Sequence, residues 1–309
     1  MANPNVKMAS ADWLWIALLS VIWGGSFIFI KLALTGFQPL SVVAIRLGIG
    51  TMLMGTWLVA SGRIPHLTRD RVLAVAMMGF LNNAAPFILL TWAQTELTAG
   101  LASIFNAMTP LFTILVAHLW TSDDRITPSR LFALVTGFAG VVILMGGESL
   151  SDLGSSLWAQ IAALSSGIFY ALAGVYGRRI SHLGIAPDAA AAGQFIAAFV
   201  LVAPLALVID RPWTLAAPGA VAWGGILALA ILSTAIAYLI FFKILARSGA
   251  TNAALVTFLV PISAILMAVT FLDEILTVPQ LAGMALIFAG LAVADGRLAG
   301  RLLRSKLRP

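Results

Sequence analysis

The chain has 309 residues, 61% of them hydrophobic and 10% charged, with a mean hydropathy of +1.02. Soluble domains carry about 25% charged residues, so twelve acidic and eighteen basic side chains exclude a water-clothed globule, a disordered chain and a nucleic-acid binder. With no cysteine there is no disulfide framework, Fe–S site or cysteine-zinc site.

A helix crosses the roughly 30 Å hydrocarbon core with about 20 apolar residues. Ten such runs follow in chain order: Trp13–Leu34, Pro39–Ala60, Val72–Ala93, Thr98–Trp120, Ser129–Gly146, Leu157–Gly177, Pro187–Ile209, Ala220–Phe242, Thr251–Leu272 and Val278–Ala294. They are continuous rather than alternating, which sets a β-barrel aside, and the connectors are too short for a soluble domain. The first run is too long for a signal-peptide core and is read as a retained span. The predicted class is therefore all-α, a polytopic membrane protein of ten transmembrane helices.

Basic residues in the loops set the orientation. With the N-terminus in the cytoplasm, fifteen of the eighteen Lys and Arg fall on that side. Lys31 and Arg211 fall outside, and Arg46 lies within span two. Both termini are then cytoplasmic in a multi-pass protein. The tail, residues 297–309, interleaves five basic residues with Leu and reads as a topogenic anchor on anionic lipid.

A repeat runs at half-chain scale. Asp124-Arg-Ile-Thr127 matches Glu274-Ile-Leu-Thr277, and Phe138-Ala-Gly140 matches Phe288-Ala-Gly290, both at an offset of 150. Pro110 and Pro261 are 151 apart. The halves are residues 1–146 and 147–296, five spans each. Because five is odd, the second half enters the membrane inverted, the arrangement of carriers whose substrate site lies at the repeat interface.

Several of these residues carry a family resemblance: Trp23-Gly24-Gly25-Ser26-Phe27, Arg46-Leu47, Pro110, Pro261, Glu274 with Leu276-Thr277, and Gly283 with Phe288-Ala-Gly290. The chain resembles the ten-helix, EamA-type members of the drug/metabolite transporter superfamily, and in overall pattern the YddG-type amino-acid exporters of bacterial inner membranes. The resemblance implies an inner-membrane location and export of amino acids, aromatic ones included. Two departures stand out: Asp123-Asp124 where the family often has Gly-Glu, and Gln194 where the first half has Arg46.

All twelve acids fall in loops or at span ends, and no Lys/Arg cluster lies within the spans. That argues against a buried carboxylate relay, a polycationic cargo and a phosphate-bearing cargo. A near-neutral cavity suits a zwitterion or an uncharged, partly apolar metabolite. Candidate lining residues are Trp23 and Ser26 on one face of span one, Asn82 and Asn83 in span three with their counterparts Ser233 and Thr234 in span eight, Asn106, Ser166, Tyr170, Tyr238 and Thr257. Phe87 is the counterpart of Tyr238; the alternative for the Asn and Ser residues is interhelical packing, and for the aromatic residues a lipid-facing or interfacial-belt position.

Candidate hinge or gating residues are Gly24, Gly25, Arg46, Pro110 and Pro261. The two prolines free the carbonyls of Asn106 and Thr257 and predict a pair of symmetric kinks. Arg46 either meets a substrate carboxylate or serves structure and gating. Small pairs at four-residue spacing, Ala133/Gly137 and Ala285/Ala289, predict close helix approach in spans five and ten.

No H-E-x-x-H, G-x-x-x-x-G-K-[ST] or G-x-G-x-x-G motif is present. The expectation is a non-enzyme without metal or cofactor, whose partners are a small-molecule substrate and the lipid bilayer, not nucleic acid. It is expected to act as a monomer, with a dimer permitted. A secondary carrier working by alternating access fits best. Export of other metabolites or drugs and a passive channel stay open, as does energy coupling.

Overall fold

A computed structural model describes residues 10–63, 68–121, 125–145 and 155–295. The half boundary at 146–147, the tail at 297–309, Lys7, His66, Asp123 and Asp124 lie outside the described residues. Those described form helices joined by short turns: α1 (Ala11–Ala33), α2 (Pro39–Ala60), α3 (Arg69–Glu96), α4 (Ala99–Trp120), α5 (Pro128–Met145), α6 (Leu157–His182), α7 (Pro187–Thr214), α8 (Ala220–Gly249), α9 (Leu255–Leu272) and α10 (Val278–Ala294). The first nine are long and apolar enough to cross a membrane, and α10 is one residue short of the same length.

Several helices outrun their apolar runs. α6 continues to His182 and α8 to Gly249, because backbone hydrogen bonding persists where lipid depth ends and long basic side chains reach back to the interface. α9 starts later than its apolar run. Gly249 takes a left-handed φ of 77° and a second interruption falls at Ala254, so the regular helix begins at Leu255.

The indoles mark the lipid boundary. Trp13, Trp57, Trp92, Trp120, Trp158, Trp213 and Trp223 are exposed and sit at or near helix ends, the usual place of aromatic belts. Trp15 is engaged by Lys243, whose Nζ lies 3.8 Å from its ring centroid. Trp23 stands apart, at mid-helix and half-buried.

Helix pairing is reciprocal between the halves. α1 packs on α8 and α9, and α6 packs on α3 and α4, while α2 lies along α7 and α5 along α10. Polar contacts show which ends share a face. Arg247 at the end of α8 meets Asp12 at the start of α1, at 2.9 Å. Arg63, just past α2, meets Asp188 at the start of α7, at 3.0 Å. On the opposite face Asp210 of α7 accepts the Ser41 amide of α2 at 2.6 Å. There too the Glu274 carboxylate, between α9 and α10, accepts the Ala99 and Gly100 amides that open α4, at 2.7 and 2.9 Å. Thr98 takes the next amide, that of Leu101. The acids thus satisfy helix N-termini that would otherwise lose hydrogen bonds.

α5 and α10 approach closely through glycine. A Cβ on Gly140 would lie 2.6 Å from the Gly283 carbonyl, and one on Gly290 would lie 2.6 Å from Thr136 Oγ1. Gly290 also approaches the expected pair on α5, its Cβ position lying 2.8 Å from the Ala133 carbonyl and 3.4 Å from the Gly137 nitrogen, while the Cβ position of Gly137 itself faces Leu111 of α4; Ala285 and Ala289 are exposed. On α10 the contact therefore falls on Gly283, Ile287 and Gly290, one face at four- and three-residue spacing, rather than on the alanine pair expected there.

Candidate functional site

Three spans carry a π-helical segment, and two of the segments are equivalent. In α3, Phe80–Ala84 is a π-helical segment containing Asn82 and Asn83. In α8, Ile231–Ile236 is another, containing Ser233 and Thr234. The segments start 151 residues apart, the offset of the sequence repeat. Each has a local cause. Pro86 lacks the amide that would bond the Asn82 carbonyl, so the ladder of α3 shifts, with the Ala85 amide reaching Phe80. In α8 the Thr234 hydroxyl donates to the Leu229 carbonyl at 3.0 Å, and Ser233 donates to Ile22 of α1 at 2.8 Å. Such segments recur at functional sites. The third π segment, Ala206–Asp210, follows Pro204 at the end of α7.

The prolines behave differently from a symmetric pair of kinks. α4 is interrupted at Ala107 and Met108, just before Pro110. The Asn106 carbonyl, freed by Pro110, accepts the Thr109 hydroxyl at 2.8 Å. Pro261 lies inside a helix continuous from Leu255 to Leu272. The matched irregularity of the two halves is therefore the π pair.

Around the π pair, residues from six helices converge. Asn82 donates to Gln194 of α7 at 3.1 Å and to the Tyr238 hydroxyl of α8 at 3.3 Å. Arg46 of α2 donates from Nε to Thr234 Oγ1 at 2.9 Å, and its guanidinium carbon sits 3.7 Å from the Phe87 ring centroid of α3. Tyr170 of α6 and Tyr238 lie within electrostatic reach of Arg46. Trp23 of α1 meets Tyr238 edge-on at 6.4 Å and Phe241 at 5.7 Å. Phe195 and Phe242 close on Tyr238 at 5.0 and 6.0 Å.

The contacts of the two halves mirror one another. Arg46 reaches the polar pair of α8, and Gln194, which stands where the other half has Arg46, meets the polar pair of α3. Asn83 is fully buried beside Tyr238, yet neither its amide oxygen nor its nitrogen makes a hydrogen bond of regular geometry.

Trp23, Asn82, Asn83, Tyr170, Thr234, Tyr238 and Arg46 thus come together, with Ser233 alongside. Other candidates are occupied locally. Ser26 and Ser166 donate to the Trp23 and Ala163 carbonyls of their own helices, and exposed Thr257 donates to Ala254. Asn106 keeps an unbonded, buried amide oxygen at the break in α4. Gly24 marks a close contact: a Cβ there would lie 2.2 Å from Ser263 Oγ and 2.8 Å from the Ala264 nitrogen of α9. Gly25 faces only the flexible Met267 and Phe29 side chains, at 3.2 Å and beyond. Gln194, Phe87, Phe195, Phe241 and Phe242 join the cluster beyond the lining residues expected from sequence. The repeat, which pairs Gln194 with Arg46 at an offset of 148 and Phe87 with Tyr238 at 151, is the signal that points to the first two.

Two cavities lie elsewhere in the bundle, and no residue of the cluster lines either of them. One of about 300 Å³ is lined by Lys31, Gln38, Gln94 and Thr95 among others, at the end of α1, the start of α2 and the end of α3. The other, about 340 Å³, is lined by Leu81, Trp120, Tyr176 and Arg179 among others, between α3, α4 and α6. No group of three or more potential metal ligands occurs among the described residues.

Comparison with known proteins agrees with this architecture. The chain is 28% identical over 91% of its length to an uncharacterized transporter, YvbV, of Bacillus subtilis, covering 90% of that protein. It is 25% identical to a Streptantibioticus cattleyicolor protein named "Probable terminal-alkyne amino-acid exporter", covering 96% of this chain and 97% of the relative. A solved crystal structure superposes with a TM-score of 0.65 at 20% identity, over 96% of this chain and 99% of the other, a likeness of fold. The EamA-like transporter family model matches twice, over residues 12–146 and 157–294. With both matches in place and all ten helices covered, the chain belongs to the EamA-like transporter family of membrane transporters.

Proposed function

We propose that the protein is a secondary carrier exporting small, near-neutral metabolites, specifically amino acids including aromatic ones, by alternating access. The observation that carries the reading is the paired π-segments. Each half holds one, each offers polar side chains to the same central cluster, and rings from α1, α7 and α8 surround it. The halves are inverted five-helix repeats, residues 1–146 and 147–296, whose reciprocal packing lets one rock against the other around a shared centre. A relative named as an amino-acid exporter supports the cargo class. The carrier works as a monomer in a bacterial inner membrane, with both termini cytoplasmic.

A passive pore needs an open path, whereas here rings close the centre at 5.0–6.4 Å centroid spacing. Counterflow in proteoliposomes separates the two. Unlabelled aromatic amino acid inside accelerates saturable uptake of labelled amino acid if the protein is a carrier. Flux that does not saturate supports a channel, and movement of other metabolites with no amino acid moving or competing overturns the cargo assignment.

A further inference from the structure

The geometry points to Arg46 as the anchor for the carboxylate of the transported molecule, making the central cluster a zwitterion site rather than a general apolar pocket. This rests on the transport reading above and adds the chemistry by which cargo is chosen.

Arg46 is 7% exposed in the middle of the helix bundle. Among the described residues it pairs with no carboxylate, and no acceptor meets its Nη1 or Nη2. Three other cations do meet acids: Arg63 pairs with Asp188, Arg247 pairs with Asp12, and Lys31 lies in the field of Glu274 and Glu96. Burying a cation without a counter-ion is costly, and the Phe87 face offsets only part of that cost.

A purely structural role does not account for the charge. The equivalent position in the other half holds Gln194, which makes the mirrored contact to Asn82 while neutral. An amide is therefore sufficient for that packing, and the guanidinium adds one positive charge that the fold itself does not use.

The orientation of Arg46 is also fixed. Thr234 accepts from Nε while its own proton goes to Leu229. That leaves the Nη pair, a fork whose geometry matches a carboxylate in two parallel hydrogen bonds. Asn83, buried and without a hydrogen bond of regular geometry, supplies an amide oxygen for the ammonium group. Trp23, Tyr238 and Phe241 supply ring faces for an apolar or aromatic side chain. One cation against an otherwise uncharged wall repels simple amines and under-compensates a phosphate dianion. An α-amino acid with an apolar side chain satisfies every group.

The test uses the full chain in proteoliposomes, with labelled phenylalanine in counterflow and four competitors: phenylalanine, its amide, phenethylamine and phenylpropionate. A site built to bond a carboxylate rejects analogues lacking it, so the amide and the amine should compete at least about tenfold more weakly than phenylalanine, with phenylpropionate between. Arg46→Gln, which copies the other half, should shrink that gap to less than about threefold, and Arg46→Lys should keep part of it. If the Gln variant does not fold, the wild-type series alone decides. Wild-type competition by amide or amine within about threefold of phenylalanine overturns the anchor while leaving the carrier intact. So does a folded Arg46→Gln variant that keeps the full gap. A protein that moves none of the series overturns the amino-acid reading, and the anchor with it.

Discussion

Gly24 offers the sharpest test of how α1 is held. Two glycines in sequence suggest a bending point, but the surroundings of the two differ. A methyl group at Gly24 would meet Ser263 Oγ at 2.2 Å, the Ala264 nitrogen at 2.8 Å and the Val260 carbonyl at 3.0 Å. Two of those three are backbone atoms of α9, which cannot rotate away. Ser263 is itself held, donating to Ser20 of α1 at 2.6 Å. Gly24→Ala therefore forces α1 and α9 apart and costs about 1–3 kcal/mol, the range of overpacked cores. Gly25→Ala meets only side-chain ends, at 3.2 Å and beyond, and costs less than about 1 kcal/mol. The pair Gly24→Ala with Ser263→Ala removes the nearest atom but leaves the backbone contacts, so rescue should be partial. Thermal unfolding of the purified proteins in one detergent, read by the loss of monodisperse material, ranks the four. Equal stability of the two single variants would refute the contact reading. Normal stability with lost transport in Gly24→Ala would place a moving joint there instead.

The carboxylate of Glu274 makes two charge-assisted bonds to the start of α4, and such bonds contribute about 1.5–3 kcal/mol each; Glu274→Ala should lower thermal stability by several degrees, with Glu274→Gln, which keeps one acceptor, between it and the wild type. Arg63 is 66% exposed in its pair with Asp188, so a double-mutant cycle on that pair should return less than about 1 kcal/mol. Tyr238→Phe removes the acceptor of one Asn82 bond and keeps the ring contacts, so stability should fall by less than about 1.5 kcal/mol while competition by aromatic amino acids persists. The native chain has no cysteine; single cysteines in Arg125–Thr127 and at Arg211 should react with an impermeant reagent from opposite sides of the membrane, and labelling from the same side would refute the ten-span alternation.

Much of the fold is legible because lipid imposes a simple rule. Twenty apolar residues make a span, and runs such as Pro39–Ala60 coincide with their helices to the residue. Ends are less legible where polar residues prolong a helix, as at Arg178 to His182, since hydropathy reports depth rather than backbone hydrogen bonding. At the site, the offset of 151 already pairs Asn82 and Asn83 with Ser233 and Thr234. It does not say that these turns widen, because that depends on Pro86 in one case and on hydroxyl contacts to Leu229 and Ile22 in the other. Pro110 and Pro261 carry the same one-letter signal, yet only the first adjoins a break. Lost hydrogen bonds in a helix are absorbed by neighbours that sequence does not display. The choice of Thr234 as the partner of Arg46 spans 188 residues and is set by how α2 crosses α8.

The widened turns in α3 and α8 have a mechanical consequence. A π turn stores one residue more than the α turn it replaces. Sliding that surplus residue along the rod swivels only the residues it passes, by roughly 100°, the angle of one residue, with both ends still moored. A rod of this kind can re-aim a face without bending. In α3 such a bearing adjoins a proline, Pro86, whereas in α8 it is built without proline or glycine, around a serine and a threonine.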